Sequence, residues 1–319
     1  MAGHFSHRPV LLAESMSCLD PQSDDVIVDG TVGGGGHAAA ILERTGPHGC
    51  LVALDRDPEA LAAARSRLAE YGERVHFVHA SFRSLDTVLE QLGLPRVDGV
   101  LLDLGVSSPQ LDRAERGFAF AAEHTRDTPL DMRMDPGASE TAAQLLASLS
   151  SNELMQNFRD HSEMPGARRL ANAIVEARRR APLRTAADLL AVIETSGVGR
   201  GRRHHPATLV FQALRIAVND EFAALEAGLT AAVDALRPGR RIVVLAYHSL
   251  EDRIVKRRFR DEVRGCNCPP AQPICTCGRA PRLELVNRRP LRPQAGEVAA
   301  NRRARSARLR AASRLAEAS

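Results

Sequence analysis

The sequence predicts an α/β protein built on a parallel sheet and interrupted by an all-helical insertion. Two observations carry this. Between Val26 and about Gln110, short β-rich runs alternate with helical stretches, as parallel strands joined by crossover helices do. The next β-rich run comes only about 130 residues later, a gap too long for a loop and filled with helical periodicity.

Taken in order, the predicted strands are Val26–Val28 ending at Asp29-Gly30, Cys50–Leu54 ending at Asp55, Val75–Val78, and Val97–Leu102 ending at Asp103. Pro58 to Tyr71 reads as a helix, with proline in its first turn and an alanine- and leucine-rich stripe. In the insertion, Thr141-x-x-Gln144 and Ser150-x-x-Glu153 have the form of capping boxes, in which hydroxyl and carboxyl or amide satisfy each other's backbone N–H groups. Arg168–Arg180, Thr185–Thr195 and Ala207–Leu236 have helical periodicity, and Arg241–Ala246 is the fifth strand. Leu283–Val286 and Leu291 are candidates for closing strands, and the arginine-rich end is expected to be partly mobile. The expected organisation is a first sheet part at 1–112, a helical substrate-recognition part at 113–236, and a second sheet part at 237–319 with a Cys-rich loop and a basic tail.

With 319 residues, 44% apolar and 26% charged, the chain has length for roughly two globular domains. No apolar run approaches the ~20 residues of a membrane span, and the opening MAGHFSHRPVLL lacks a charged segment followed by a long apolar one. A cytoplasmic protein with no membrane partner is expected. The net charge of +4 is mild, but residues 282–314 hold ten arginines against Glu284 and Glu297, a block suited to phosphates.

Asp29-Gly-Thr-Val-Gly-Gly-Gly-Gly-His37 follows a strand and precedes a helix, so its glycines let a ligand approach the backbone at the carboxyl edge of the sheet. Asp55 ends the next strand 19 residues after Gly36, where an acidic side chain accepts hydrogen bonds from ribose hydroxyls. A dinucleotide and a sulfonium nucleoside fit this much equally. Asp29 and Asp103 favour the sulfonium, because carboxylates complement its positive charge and would repel a pyrophosphate.

Several long stretches, in order and covering nearly the whole chain, carry a resemblance. They are His7-Arg-Pro-Val-Leu-Leu-Ala-Glu14, Asp29 to His37, Asp55-Arg-Asp57, Leu101 to Asp112, Pro129 to Asp135, His205-Pro-Ala-Thr208, Phe211 to Asn219 and His248 to Arg253. Through them the chain resembles the bacterial 16S ribosomal RNA cytosine-N4 methyltransferases. The resemblance implies a Rossmann-like class I methyltransferase sheet domain with S-adenosyl-L-methionine as cofactor. It also implies 16S rRNA of the small ribosomal subunit as partner, and methylation of the N4 amine of a cytosine in the decoding region, cytosine 1402. By the same resemblance Gly35, Gly36, His37, Asp55, Phe82, Asp103 and Gln110 contact the cofactor. In the family pattern an arginine stands where this chain has Gly34, and a phenylalanine where it has Tyr247.

Transfer to an exocyclic amine needs positioning and an acceptor for the amine's hydrogens rather than a strong base. Asp103, Ser107, Ser108 and His248 are the candidates, with Asp103 and His248 foremost. The loop from Gly117-Phe118-Ala-Phe120 to Pro129-Leu-Asp-Met132-Arg133-Met134-Asp135 suits a lid or a base-holding surface, with packing between the two domains as the alternative. Gln212, Arg215 and Asn219 share a helix face that could meet RNA, an interface or solvent. Arg302, Arg303, Arg305, Arg308 and Arg310 could neutralise phosphates. Cys266, Cys268, Cys275 and Cys277 offer four thiols within twelve residues, enough for a structural zinc, with reduced loop cysteines as the alternative. A non-catalytic RNA-binding or ribosome-assembly factor on the same fold is the rival reading.

Overall fold

Among the described residues, seven strands join in one sheet: β1 (Val26–Asp29), β2 (Cys50–Asp55), β3 (Val75–His79), β4 (Val97–Asp103), β5 (Leu236–Ala246), β6 (Leu283–Leu285) and β7 (Arg308–Arg314). The computed structural model describes residues 9–119, 128–138, 140–199, 206–266, 268, 269, 272, 274 and 276–316. The strand order is β3-β2-β1-β4-β5-β7-β6. The first five strands run parallel, and β7 lies antiparallel between β5 and β6.

Helices α1 (Leu12–Leu19), α2 (Gly36–Arg44), α3 (Pro58–Arg67) and α4 (Leu85–Gln91) alternate with the early strands. Helices α5 (Ser108–Asp112), α6 (Ala142–Ser148), α7 (Ser151–Ser162), α8 (Ala167–Arg180), α9 (Ala186–Ser196) and α10 (Pro206–Asn219) follow β4. Then come α11 (Glu221–Ala235), α12 (Ser249–Arg264) and α13 (Ala295–Ala300).

The strands are near-continuous apolar runs because helices cover both faces. Ile27, Leu51, Leu101 and Val243 point to one side, where they meet Leu19 of α1, Ile41 of α2 and Leu61 of α3. Val28, Val52, Val100 and Val244 point to the other, against Leu89 of α4, Leu229 of α11 and Phe259 of α12. β5 starts before the predicted Arg241. The Arg237-Pro-Gly-Arg240 insertion shifts its register against β4, and Arg240 pairs there with Asp25 and Asp98.

The chain divides into two compact units, Met1–Gly105 with Phe222–Ser319, and Val106–Glu221. The second unit has its own core, in which Leu154 and Phe158 of α7, Leu170 and Ile174 of α8, Leu189 of α9 and Leu214 of α10 are buried. Both sequence-read capping boxes are present, at Thr141/Gln144 and Ser150/Glu153. α11 packs with the sheet, not with this second core.

Two expectations are corrected. The arginine-rich end is not a mobile tail over 308–314: Leu309 and Ala311 enter one sheet core and Ala312 the other, and the strand is hydrogen-bonded on both sides. Arg308 and Arg310 both bond Asp252 of α12, Arg310 with Nε at 2.6 Å, so they are held inside the fold. Leu291 makes only an isolated bridge to Leu309.

Candidate functional site

The parallel strands bring β1, β2 and β4 to one edge with a carboxylate at the end of each: Asp29, Asp55 and Asp103. Between β1 and α2 the chain turns through Gly33 (φ 51°) and Gly35 (φ 76°), left-handed conformations that favour glycine. Gly36 begins α2 against Pro9, where an added Cβ would lie 2.4 Å from the proline Cγ. Open space surrounds the Cβ position of Gly34.

Asp29 is 1% exposed and accepts the Thr31 N–H at 3.1 Å. Burial, with the charges of Asp103 and Asp55 adding to it, pushes its carboxyl up to about 8 against the one opposing hydrogen bond. Asp55 Oδ2 accepts the Gly33 N–H at 2.9 Å and Oδ1 the Asp57 N–H at 2.9 Å. It therefore ties the glycine turn to β2, and burial still raises it to about 6. A neighbouring positive charge would offset both shifts.

Asp103 is partly open, with its side chain 24% exposed, where Asp29 is buried. Its backbone N–H donates to Thr31 Oγ1 at 2.6 Å, and its Oδ1 accepts the Tyr247 hydroxyl at 2.8 Å. Oδ2 lies 3.6 Å from His37 Nδ1. The buried His37 ring meets the Val10 carbonyl through Nε2 at 3.2 Å, which assigns the proton to that nitrogen, and burial lowers the ring's affinity for a second proton. Burial, then Asp103, raises the Tyr247 phenol well above its usual value, so it stays a donor.

Phe82 follows β3, with Gly30 of the turn near its Cβ, and its ring presses on α11 at Gly228, where an added Cβ would lie 2.4 Å from it. His248 is the N-cap of α12: its Nδ1 accepts the Glu251 N–H, and Nε2 lies 3.0 Å from Glu251 Oε1. Gln110 belongs to the second unit, where it closes a capping box by accepting the Ser107 N–H at 2.9 Å. Sequence reasoning thus brought Gly35, Gly36, His37, Asp55, Phe82 and Asp103 to one edge. It did not pick Tyr247, Thr31 or Glu251. Glu251 is buried and accepts the Tyr247 N–H at 3.0 Å, and the His-x-x-Glu spacing of a capping box was its signal.

Three other readings resolve differently. Phe118, Leu130, Met132 and Met134 are buried in the core of the second unit, and Arg116 bonds the carbonyls of Arg133 and Met134. These residues pack rather than form a lid; Phe120 lies outside the described residues. Gln212 donates to the His161 carbonyl, Arg215 forms a bidentate pair with Glu221, and Asn219 bridges Met132 and Met134. That helix face is satisfied internally. His205 and Cys275 lie outside the described residues, and Cys266, Cys268 and Cys277 cluster.

The sheet order, the glycine turn and the three strand-end carboxylates together define a Rossmann-like methyltransferase domain. The chain belongs to the MraW methylase family, whose pattern matches residues 4–315. It is similar to the ribosomal RNA small subunit methyltransferase H of Geobacter sulfurreducens, 51% identical over 314 residues, which are 98% of this chain and 99% of the relative. The methyltransferases H of Syntrophotalea carbinolica and Heliobacterium mobile are 50% and 47% identical, over 98% of this chain and 98% and 99% of those proteins. No helix among the described residues is long and apolar enough to cross a membrane.

Proposed function

We propose that this protein transfers a methyl group from S-adenosyl-L-methionine to the N4 amine of a cytosine in the decoding region of 16S rRNA, at position 1402. The observation that carries the cofactor is the gathering of Asp29, Asp55 and Asp103 about a glycine turn, two of them with raised carboxyls. Such a donor set suits a ligand bearing positive charge and hydroxyls. Bound there, the cofactor would supply an electrophilic methyl on a sulfonium.

The chain's own residues do the rest. Gly33, Gly35 and Gly36 let the backbone come close, and Asp55 both holds the turn and faces the cofactor's hydroxyls. Phe82 offers an apolar surface at the same edge, and Gln110 is a further contact. Asp103, fixed by Thr31 and Tyr247, is the foremost acceptor for the reacting amine or the cofactor's amino-acid end. His248, engaged as a helix cap, contributes by shaping the turn after β5 and is the second candidate.

The RNA substrate rests on the family and on the names of its relatives. The helical unit at 106–221 would recognise the RNA, with the exposed Arg168, Arg169, Arg179 and Arg180 of α8 available to phosphates. The action would be cytoplasmic, where ribosomal subunits are.

The test is methyl transfer from labelled S-adenosyl-L-methionine to small ribosomal subunits lacking the modification, followed by mapping of the labelled nucleotide. Label on N4 of the decoding-region cytosine supports the reading. Tight cofactor binding with no label on subunits would favour a non-catalytic RNA-binding or assembly role.

A further inference from the structure

The segment between α12 and β6 is unlike the rest of the fold. Its neck is closed: Gly265 (φ 69°) sits so near the returning chain that an added Cβ would lie 2.4 Å from Pro281 N, and Arg282 donates its N–H to the Glu262 carbonyl at 2.9 Å. Among the described residues inside that neck, none joins an apolar core. Ile274 is 73% exposed, the most exposed large hydrophobic among the described residues. A stretch with so little to bury needs a cross-link to hold one conformation.

Sulfur is what lies at its centre. The Sγ atoms of Cys266, Cys268 and Cys277 all lie within 4.8 Å of one another, and all three residues are half-buried. Tetrahedral zinc with Zn–S bonds of about 2.3 Å calls for sulfurs about 3.8 Å apart, a small contraction of this cluster. A disulfide would use only two of the three. The Cys268 N–H already donates to Cys266 Sγ at 3.4 Å, which holds these two residues together.

We propose that Cys266, Cys268 and Cys277 bind a thiophilic divalent cation, zinc, that staples this segment. Binding replaces each S–H bond by a metal–sulfur bond and releases the protons to solvent. The topology makes the role structural. α12 begins just after the end of β5, at the carboxylate edge, and runs back along the sheet, so the cluster lies near the opposite edge where β6 starts. Metal here cannot reach the reacting groups.

The experiment uses the tag-free full chain, reduced and stripped of metal, titrated with Zn2+ against a chromogenic chelator. The wild type should take up about one equivalent, unfold at a higher temperature when loaded, and bind S-adenosyl-L-methionine equally with or without zinc. Cys268→Ser should lose at least tenfold in zinc affinity, while Cys50→Ala, in β2, should retain it. Loading the wild type with Co2+ should give sulfur-to-metal charge-transfer absorption, a readout that needs no variant to fold. Absence of uptake by the wild type, uptake unaltered by Cys268→Ser, or a cobalt complex without that absorption would overturn the proposal.

Discussion

Tyr247 donates its hydroxyl to Asp103 at 2.8 Å, joining the residue after β5 to the carboxylate that ends β4. The other Asp103 oxygen is left toward His37. Holding one oxygen of a partly exposed carboxylate fixes the direction of the second at a modest cost in side-chain entropy. Tyr247→Phe should therefore fold normally and weaken S-adenosyl-L-methionine binding a few-fold, with Asp103→Ala far more severe. Isothermal titration of the two variants decides it: affinity in Tyr247→Phe equal to or tighter than wild type would show that the phenol does not orient Asp103.

The pH dependence of the site follows from Asp29. Its carboxyl rises from 3.8 to about 8 on folding, so between those values the native state holds more protons than the unfolded chain. The stability that Asp29 contributes is then fully present at low pH and is lost as pH rises through about 8. Cofactor binding should run the other way, since ionised Asp29 complements a cation, gaining up to about tenfold per pH unit. Asp29→Asn keeps an acceptor for Thr31 and should flatten both profiles. Thermal unfolding and titration calorimetry across this range would show it, and an unchanged pH profile in the variant would place the titrating group elsewhere.

Gly34 and Gly36 make opposite demands. Nothing lies within 4 Å of a Cβ added at Gly34, whereas one at Gly36 would lie 2.4 Å from the Pro9 ring. Gly34→Arg, which restores the residue of the family pattern, should shift stability by no more than about 0.5 kcal/mol. Gly36→Ala should cost about 1–3 kcal/mol through overpacking. Chemical denaturation compares them directly, and equal losses would contradict the described path of the turn.

How much of this could be read from the chain alone depends on the range of the interaction. The five parallel strands and the glycine turn were legible because apolar runs, strand-end aspartates and a Gly-rich turn are local signals. α11 was legible as a helix, but periodicity does not say which core its apolar face joins, and Leu225 and Leu229 join the sheet. β7 was hidden because Arg308-Leu-Arg310 looks like a solvated tail until Asp252, 56 residues away, is brought beneath both arginines. The same holds for Gln212, Arg215 and Asn219, whose partners on other segments leave no mark in the spacing. Tyr247 stood out only as a departure from a family pattern. Its meaning came from a contact 144 residues distant.

The arginines near the C-terminal end divide into two groups with separable effects. Arg310 and Asp252 are 12% and 11% exposed in their side chains, and Arg308 and Arg310 hold the Asp252 carboxyl below its ordinary value. Breaking that pair leaves a charge largely buried, so Arg310→Ala should cost about 3 kcal/mol. Because Asp252 is depressed, the stability it contributes is present above the unfolded pKa and is lost as pH falls through the lower folded value. Arg302 and Arg305, on the surface before β7, carry no such role. Replacing both with Ala should leave unfolding unchanged, reduce affinity for the RNA substrate and make the salt dependence shallower by up to about two phosphate contacts. Filter binding at several salt concentrations beside thermal unfolding separates the groups. A stability loss in Arg302→Ala/Arg305→Ala, or a salt slope unaltered by it, would remove these two residues from the RNA-binding surface.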